Sequence, residues 1–189
     1  MDWTTFIRTA PSTPHETAKS ASEYFLGKDV VQCLDLGCGN GRDSLFFAHL
    51  GFSVTANDLS RTVSQAATID PKIKFVEGPA EDLPLSEYDI INASLFFPFL
   101  PEDIFHDLWK RLIDAIKPGG VIAGHFFGAD DWKVRDYFVW SVDNDKLNHL
   151  LSGLHVAYLE ETKIDGLNNA GNIVHKHNYA FVARKNTPL

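Results

Sequence analysis

Apolar residues along the chain fall into two kinds of pattern, and the two kinds alternate. Short, nearly continuous apolar runs bounded by glycine or polar residues are typical of buried parallel strands. Between them lie longer stretches in which apolar residues recur every three or four positions, as on one face of a helix. The predicted strands are 30–36, 52–56, 73–76, 88–93, 121–127, 155–160 and 179–183. The predicted helices are 15–26, 42–50, 61–68, 145–151 and a longer one between Pro101 and Pro118.

Strands that alternate with helices predict an α/β fold, here a doubly wound, mostly parallel seven-stranded sheet with helices on both faces. No helix separates the last two strands. A tight return makes such a pair antiparallel, so the last strand is predicted to run against the others. No repeat, low-complexity tract or long linker interrupts the pattern, which predicts a single domain over residues 1–189.

Charge and composition narrow the possible partners. The net charge of −8 disfavours nucleic acid, because phosphate contacts need a basic face. The basic pair Lys110-Arg111 is interpreted as the solvated side of a helix. Two cysteines, Cys33 and Cys38, are too few for a disulfide framework, and Met1–Pro14 lacks the apolar core of a secretion signal. No stretch reaches the length that spans a bilayer. We therefore expect a cytoplasmic protein with no membrane or nucleic-acid partner.

A glycine-rich loop at residues 35–41 (DLGCGNG) follows the first predicted strand and leads into a helix. Glycine tolerates the positive φ angles of such a turn and lets a ligand lie against the backbone. The GxGxG spacing differs from the GxGxxG of dinucleotide sites, and Asp35 would repel a pyrophosphate, which argues against a nicotinamide-dependent oxidoreductase. Asp58, after the second strand, is placed to accept from two ribose hydroxyls. These features fit a nucleoside that carries an ammonium group and a sulfonium but no phosphate.

This loop resembles the first motif of class I S-adenosylmethionine-dependent methyltransferases, and the resemblance extends over nearly the whole chain. It implies a Rossmann-like fold and S-adenosylmethionine as the cofactor. It also implies that Asp35 lies near the methionine end, that Asp58 holds the ribose and that the glycines lie under the ligand. The cofactor residues predicted in this part of the chain are Asp35, Gly37, Cys38, Gly39, Asn40, Gly41, Asp58 and Leu59.

Residues 77–84 (EGPAEDLP) are similar to the adenine-contacting loop of that family. Pro79 stands where the family usually has an acid or an amide, and proline has neither a side-chain acceptor nor a backbone N–H. Ala80, through its backbone, and Glu81 are therefore the predicted adenine contacts, with Asp82 as the alternative to Glu81. A solvated turn is the alternative interpretation of these acids.

Residues 88–93 (YDIINA) resemble the fourth-strand motif, and residues 117–120 (KPGG) resemble the turn before the fifth strand. The resemblance places Asn92 and Ser94 at the strand end that faces the methyl donor. Hydrogen bonding within the loop is the alternative role for these two side chains.

A narrower resemblance covers residues 92–120, 123–132 and 171–185, which look like small bacterial methyltransferases of the tellurite-resistance type. Ala129 replaces an arginine of those relatives, so any role of that guanidinium is absent. In this family an N-terminal helix often covers the cofactor. Residues 1–28 are accordingly predicted to form an N-terminal helix and lid segment, in which Trp3–Arg8 either folds over the cofactor or frays.

The predicted function is transfer of a methyl group from S-adenosylmethionine to a small-molecule acceptor by in-line displacement. Such a reaction needs alignment and a dry site, and a base only where the acceptor must lose a proton. Candidate catalytic residues are Asp131 and Trp132, which follow the fifth strand, and His125 within it. For His125, a hydrogen-bonded strand histidine is the favoured interpretation.

Further expectations concern metals, assembly and the alternative function. His175 and His177 are two apart and share one strand face, but no third ligand has suitable spacing, so no metal site is predicted. The protein is expected to be a monomer or a homodimer. The alternative function is a catalytically silent cofactor-binding regulator, which side chains plugging the pocket beyond Ser94 would indicate.

Overall fold

The computed structural model describes residues 11–59, 70–137, 139–168 and 170–187. Its strands are β1 (Gln32–Leu36), β2 (Ser53–Asp58), β3 (Ile73–Glu77), β4 (Tyr88–Ala93), β5 (Ile116–Phe127), β6 (Leu154–Leu167) and β7 (Ile173–Lys185). Its helices are α1 (Glu16–Glu23), α2 (Arg42–His49), α3 (Glu102–Ala115), α4 (Trp132–Tyr137) and α5 (Asn144–Leu150). Short 3₁₀ turns lie at Ala80–Asp82 and Phe97–Phe99. The helix predicted over 61–68 and the lid residues Trp3–Arg8 lie outside the described residues.

The seven strands form one sheet in the order β3-β2-β1-β4-β5-β7-β6. Strands β1 to β5 pair in parallel, whereas β7 is antiparallel to both β5 and β6. The predicted fold class, including the antiparallel last strand, is thereby confirmed. Because β1 lies beside both β2 and β4, the strand order reverses there. Ligands of open α/β sheets bind beyond the carboxyl ends of the strands at such a switch point.

Helix α3 shows why the predicted helices form. Pro101 precedes it, and Glu102 and Asp103 in its first turn complement the positive end of the helix dipole. The side chains that it buries recur at helical spacing: Phe105, Leu108, Trp109, Leu112 and Ala115. None of the helices in the described ranges is both long enough and apolar enough to cross a membrane.

The core has two layers, one on each face of the sheet. The layer under α3 is built on aromatic packing, in which the Phe97 and Phe126 rings stack with their centroids 5.5 Å apart. On the opposite face, Ala18 of α1 and Phe47 of α2 pack against the other side of β1, β2 and β4. The sheet is therefore covered on both faces, as its nearly continuous apolar strands require.

Two segments that the sequence predicts outside the strands lie within them. Residues 117–120, predicted as a turn before β5, lie within the strand as an irregularity between the pairs Tyr88–Ile116 and Ile90–Val121. Gly166, which lies between the predicted strands 155–160 and 179–183, belongs to β6 and is opposite Val174, since the last hairpin extends to the pair Leu167–Ile173. Apolar runs indicate only the part of a strand that packs on the core. The rest of this hairpin is held by cross-strand backbone hydrogen bonds, which apolar runs do not reveal.

Candidate cofactor and acceptor site

The glycine-rich loop lies at the switch point, between β1 and α2. Gly37, Gly39 and Gly41 have φ angles of 60°, 54° and 77°, which residues with a side chain rarely adopt. A Cβ on Gly37 would come within 2.4 Å of the Phe96 ring, so this position also lacks space for a side chain. The Cys38 N–H donates to the carbonyl of Asn57 at 3.0 Å, which fixes the loop against the end of β2.

Asp58 ends β2 directly beside the loop. Its Oδ2 accepts from the Gly39 N–H at 3.0 Å, and its carbonyl accepts from the Gly78 N–H at 3.0 Å. An ionised carboxylate has about four lone-pair sites, so the bond to Gly39 leaves acceptor capacity for further donors. Asn57 was not among the predicted site residues. Its buried amide donates to the carbonyls of Val76 at 3.0 Å and Gly78 at 2.9 Å, tying the ends of β2 and β3 together.

Asp35 and Asp43 form a buried acidic pair that is bridged by one amide. Asn92 Nδ2 donates to Asp35 Oδ1 at 2.8 Å and to Asp43 Oδ2 at 3.1 Å. Ser44 Oγ donates to the other oxygen of Asp35 at 2.5 Å. Ser94 Oγ donates in turn to Asn92 Oδ1 at 3.1 Å. Asn92 and Ser94 are thus hydrogen-bonded within the site, and together they hold Asp35 in place.

The two acids of this pair have opposite protonation behaviour. Burial, reinforced by the nearby charge of Asp43, raises the pKa of Asp35 to about 7. Burial also acts to raise the pKa of Asp43, but the hydrogen bonds and charge of His15 outweigh it and lower that pKa to about 2. At neutral pH Asp43 is therefore ionised, whereas Asp35 is divided between its protonated and ionised forms.

The segment that precedes α1 is docked on the glycine-rich loop. The His15 N–H donates to Asp43 Oδ1 at 2.9 Å, and His15 Nδ1 lies 2.8 Å from Asp43 Oδ2. The Pro11 carbonyl accepts from Asn40 Nδ2 at 3.2 Å and from Arg42 Nη1 at 3.3 Å. Arg42 also contacts His15 Nε2. The side chain of Asn40, a predicted cofactor residue, is therefore engaged with the N-terminal segment.

The predicted adenine loop forms the turn at Ala80–Asp82. Ala80 is buried, and Glu81 is half-buried. Arg111 of α3 donates to the carbonyls of Glu81 at 2.5 Å and Leu83 at 2.7 Å. Lys110 and Arg111 are both exposed, as the interpretation of a solvated helix side expects, and Arg111 in addition fixes this turn. Sequence spacing gave no signal for that contact, because the two segments are 28 to 30 residues apart.

His125 lies near the carboxyl end of β5, and its ring centroid is 5.4 Å from that of His15. Its Nδ1 is buried and has no hydrogen-bond partner among the residues that the structure describes. Burial and the neighbouring His15 lower the pKa of His125 to about 3. The imidazole is therefore neutral at physiological pH, and the expected hydrogen-bonded strand histidine is not what these contacts show.

Asp131 organises the turn between β5 and α4. Its Oδ2 accepts from the His177 N–H at 3.0 Å and its Oδ1 from the Lys133 N–H at 2.9 Å. The His177 ring lies over Gly128, where an added Cβ would meet it at 2.1 Å. Two backbone bonds hold the Asp131 carboxylate, so it positions the turn. Trp132 is half-buried, with its ring centroid 5.4 Å from that of Tyr137.

The two histidines of β7 pair with acids of β6. His175 Nδ1 lies 2.8 Å from Asp165, and His177 Nε2 lies 2.9 Å from Glu161. In the described ranges, no three side chains of metal-binding type assemble into a site.

The structure brings most of the predicted residues to one edge of the sheet. Those on the side of β1, β2 and β4 surround the glycine-rich loop, whereas the three catalytic candidates lie around the end of β5. Residues that the sequence analysis did not assign complete the loop's surroundings: His15, Thr17, Asp43, Ser44 and Asn57. Asp43 and Ser44 come shortly after the last glycine of the loop, and this position in the sequence could have predicted that they lie in the site.

A family model described as a methyltransferase domain matches residues 33–120, which include the glycine-rich loop, β2, β3 and β4. The chain is similar to an uncharacterized methyltransferase of Synechocystis sp., with 31% identity over 93 residues, covering 48% of this chain and 44% of the relative. It is 34% identical over 96 residues to malonyl-[acyl-carrier protein] O-methyltransferase of Pectobacterium atrosepticum, covering 49% of this chain and 37% of that protein. The chain thus spans less than half the length of these curated relatives.

Among solved structures, TehB from Haemophilus influenzae superposes with a TM-score of 0.73 at 18% identity, covering 91% of this chain and 62% of that chain. At this identity the likeness concerns the fold. The family match and the fold agree with the predicted family and with the cofactor that defines it. Over residues 33–120, just under half of its length, the chain matches a methyltransferase domain, as the glycine-rich loop predicts.

Proposed function

We propose that this chain binds S-adenosylmethionine across its glycine-rich loop and transfers the methyl group to a small-molecule acceptor. One observation carries the proposal. Asp35 and Asp58 lie at the carboxyl ends of the neighbouring strands β1 and β2, on either side of a turn whose glycines have no side chains. This spacing suits a ligand with an ammonium group at one end and a ribose at the other.

The residues of the site fit the cofactor chemically. The Asp35 carboxyl is 2% exposed and shares an amide donor with Asp43, so a cationic ammonium group supplies the charge partner that it lacks. Asp58 has lone pairs left to accept ribose hydroxyls. Leu59 follows Asp58 and is 71% exposed, and it can cover one face of a base that lies beside the Ala80 turn.

Methyl transfer requires little acid-base catalysis from the protein. S-adenosylmethionine supplies a methyl group that its sulfonium already activates, so the chain must align the reactants and exclude water. The segment from Pro11 to His15 is hydrogen-bonded to Asn40 and Asp43 at one side of the loop. His125, neutral at physiological pH and with a buried nitrogen, can hold a polar group of the acceptor.

A small acceptor is part of this proposal, and so are the absence of a nucleic-acid partner, the cytoplasmic location and the monomeric or homodimeric state. One relative is named for O-methylation of a malonyl group on a carrier protein. That name supports an oxygen acceptor as the first class to test here. The silent-regulator alternative becomes an outcome of the turnover experiment.

Calorimetry with S-adenosylmethionine and with S-adenosylhomocysteine tests cofactor binding. In Asp58→Ala the ribose hydroxyls lose a charged acceptor. A hydrogen bond to a charged group contributes about 1.5–3 kcal/mol, so we expect the dissociation constant to rise about 10- to 100-fold. Asp107→Ala, which removes an exposed carboxylate of α3, is the matched control and should bind as the wild type does. Equal affinities in all three proteins contradict the assignment of Asp58.

Release of S-adenosylhomocysteine tests methyl transfer. The wild type is incubated with S-adenosylmethionine and panels of carboxylates, thiols, amines and chalcogen oxyanions. We expect acceptor-dependent product from one class, and its loss in Asp58→Ala at cofactor concentrations near the wild-type dissociation constant. Tight cofactor binding without product across all panels would favour the silent regulator.

A further inference from the structure

One face of β5 carries a row of polar and aromatic groups at the carboxyl end of the strand. His125 and Phe127 are two residues apart, so their side chains point to the same face of the sheet. The His15 ring lies beside His125, and the Lys133 ammonium lies 4.3 Å from the centroid of the Phe127 ring. Lys133 therefore lies on the same face as His125, next to the part of the switch point where the cofactor is proposed to bind.

The ammonium group of Lys133 is poorly satisfied. Its side chain is 11% exposed, and its ion-pair contact, with Asp131 Oδ1, is long at 3.4 Å. That carboxylate already accepts two backbone N–H groups, from Lys133 itself and from His177. A lysine ammonium has three donors, so the contact with Asp131 leaves two unused in the described part of the chain. Burial accordingly lowers the pKa of Lys133.

The acids near Lys133 already accept hydrogen bonds from other protein groups, so a ligand that binds here meets mainly hydrogen-bond donors. The nearby acids are engaged: Asp131 holds the β5–α4 turn, and Asp43 accepts from His15 and Asn92. The Trp132 ring, 5.2 Å from the ammonium, adds an aromatic wall beside Phe127. Arg42 and His15 also lie close enough to His125 to act on its charge. A ligand at this place meets an under-used cation, a buried imidazole nitrogen and flat apolar surfaces.

We propose that Lys133 and His125 form the subsite for a compact anionic oxygen group, such as a carboxylate, on the methyl acceptor, with Phe127 and Trp132 as its apolar walls. This inference rests on the proposed function and deepens it by naming the class of acceptor. An anion supplies the acceptors that the Lys133 ammonium lacks, and a charge-assisted bond in a site with little water is stronger than the same bond in solvent. The subsite would favour an anionic acceptor over its uncharged amide.

Titrations followed by backbone amide resonances test the subsite. The wild type is saturated with S-adenosylhomocysteine and titrated separately with benzoate, benzamide and inorganic phosphate at constant ionic strength. We expect saturable shifts at residues 131–133 with benzoate or with phosphate, and at least tenfold weaker binding of benzamide. Which anion binds more tightly distinguishes a carboxylate from a phosphate-like oxyanion. Equal binding of benzoate and benzamide, or no shift with either anion, overturns the proposal.

Two variants assign the effect to Lys133. Lys133→Met keeps an unbranched stem against Phe127 and Trp132 but removes the charge, and we expect it to lose at least tenfold in anion affinity. Lys146→Met removes an exposed lysine of α5 that pairs with Glu102, and it should bind as the wild type does. An unchanged affinity in Lys133→Met overturns the assignment. Calorimetry of S-adenosylhomocysteine comes first: its failure in the wild type defeats the proposed function, whereas normal cofactor binding with null anion titrations defeats this inference alone.

Discussion

Replacing Asp35 by asparagine should stabilise the protein at alkaline pH while weakening cofactor binding. An asparagine oxygen can accept from Asn92, and its amide can donate to Ser44 Oγ, so the hydrogen-bonded geometry survives. What changes is the charge. Asp35 is 2% exposed and lies near the ionised Asp43, which makes its ionised form costly in the folded state.

The size of the effect follows from the pKa of Asp35, which is raised from 3.8 to about 7 in the folded protein. At about 1.36 kcal/mol per pKa unit, this difference corresponds to about 4 kcal/mol. Because the folded state holds the proton more tightly, the contribution of Asp35 to stability is complete below pH 4. It is lost as the pH rises through 7. The Asp35→Asn variant does not undergo this loss. Its free energy of unfolding relative to the wild type should therefore increase from pH 4 to pH 8, by an amount that approaches about 4 kcal/mol.

Urea unfolding at a series of pH values between 4 and 8 measures this advantage. The stability difference between Asp35→Asn and wild type should depend on pH, whereas Asp107→Asn, at an exposed position of α3, should give a nearly constant difference. Calorimetry at pH 8 should show weaker binding of S-adenosylmethionine to Asp35→Asn. A difference in stability that is the same at every pH refutes the argument from burial, and unchanged cofactor affinity refutes the role of Asp35 at the ammonium group.

Three further outcomes are expected. In the wild type, affinity for S-adenosylmethionine should fall up to tenfold per unit as the pH drops below 7, because the Asp35 carboxyl must then release a proton, which calorimetry in buffers of different ionisation enthalpy detects. Arg111→Ala should weaken cofactor binding several-fold by loosening the Ala80–Asp82 turn, and Lys110→Ala should not, as equilibrium titration would show. Gly128→Ala should destabilise the fold by about 1–3 kcal/mol, because its Cβ would overlap the His177 ring. Urea unfolding should show that His177→Ala partly relieves this cost in the double variant.

The glycine-rich loop could be predicted from the sequence because its signal is local. The three glycines, Asp35 before them and Asp58 after the next strand occupy fixed places in a strand–turn–helix–strand unit. The sheet was predictable for a similar reason, since its buried strands are short apolar runs. Local signals set the position of the site, but they carry no information on which distant side chains meet there.

The contacts around Asp35 could not be predicted because they join remote parts of the chain. Asn92 is 57 residues from Asp35, and His15 is 28 residues from Asp43. Each is a polar residue whose role depends on the strand order and on the path of the N-terminal segment. The same holds for Lys133, whose position over Phe127 depends on the turn that Asp131 fixes.

The charge states of the two buried acids of the site depend on each other. Asp43 is held ionised by His15, and its charge makes the ionised form of Asp35 less favourable. Asn92 donates one amide N–H to each acid, and this neutral group supplies no positive charge to either. A cation that arrives beside Asp35 is therefore met by a carboxyl group whose charge the protein alone does not fully compensate. Replacing Asp35 by a neutral group removes the unfavourable free energy of a buried charge, and it also removes the attraction of that charge for the cationic cofactor. Stability and cofactor affinity should therefore change in opposite directions.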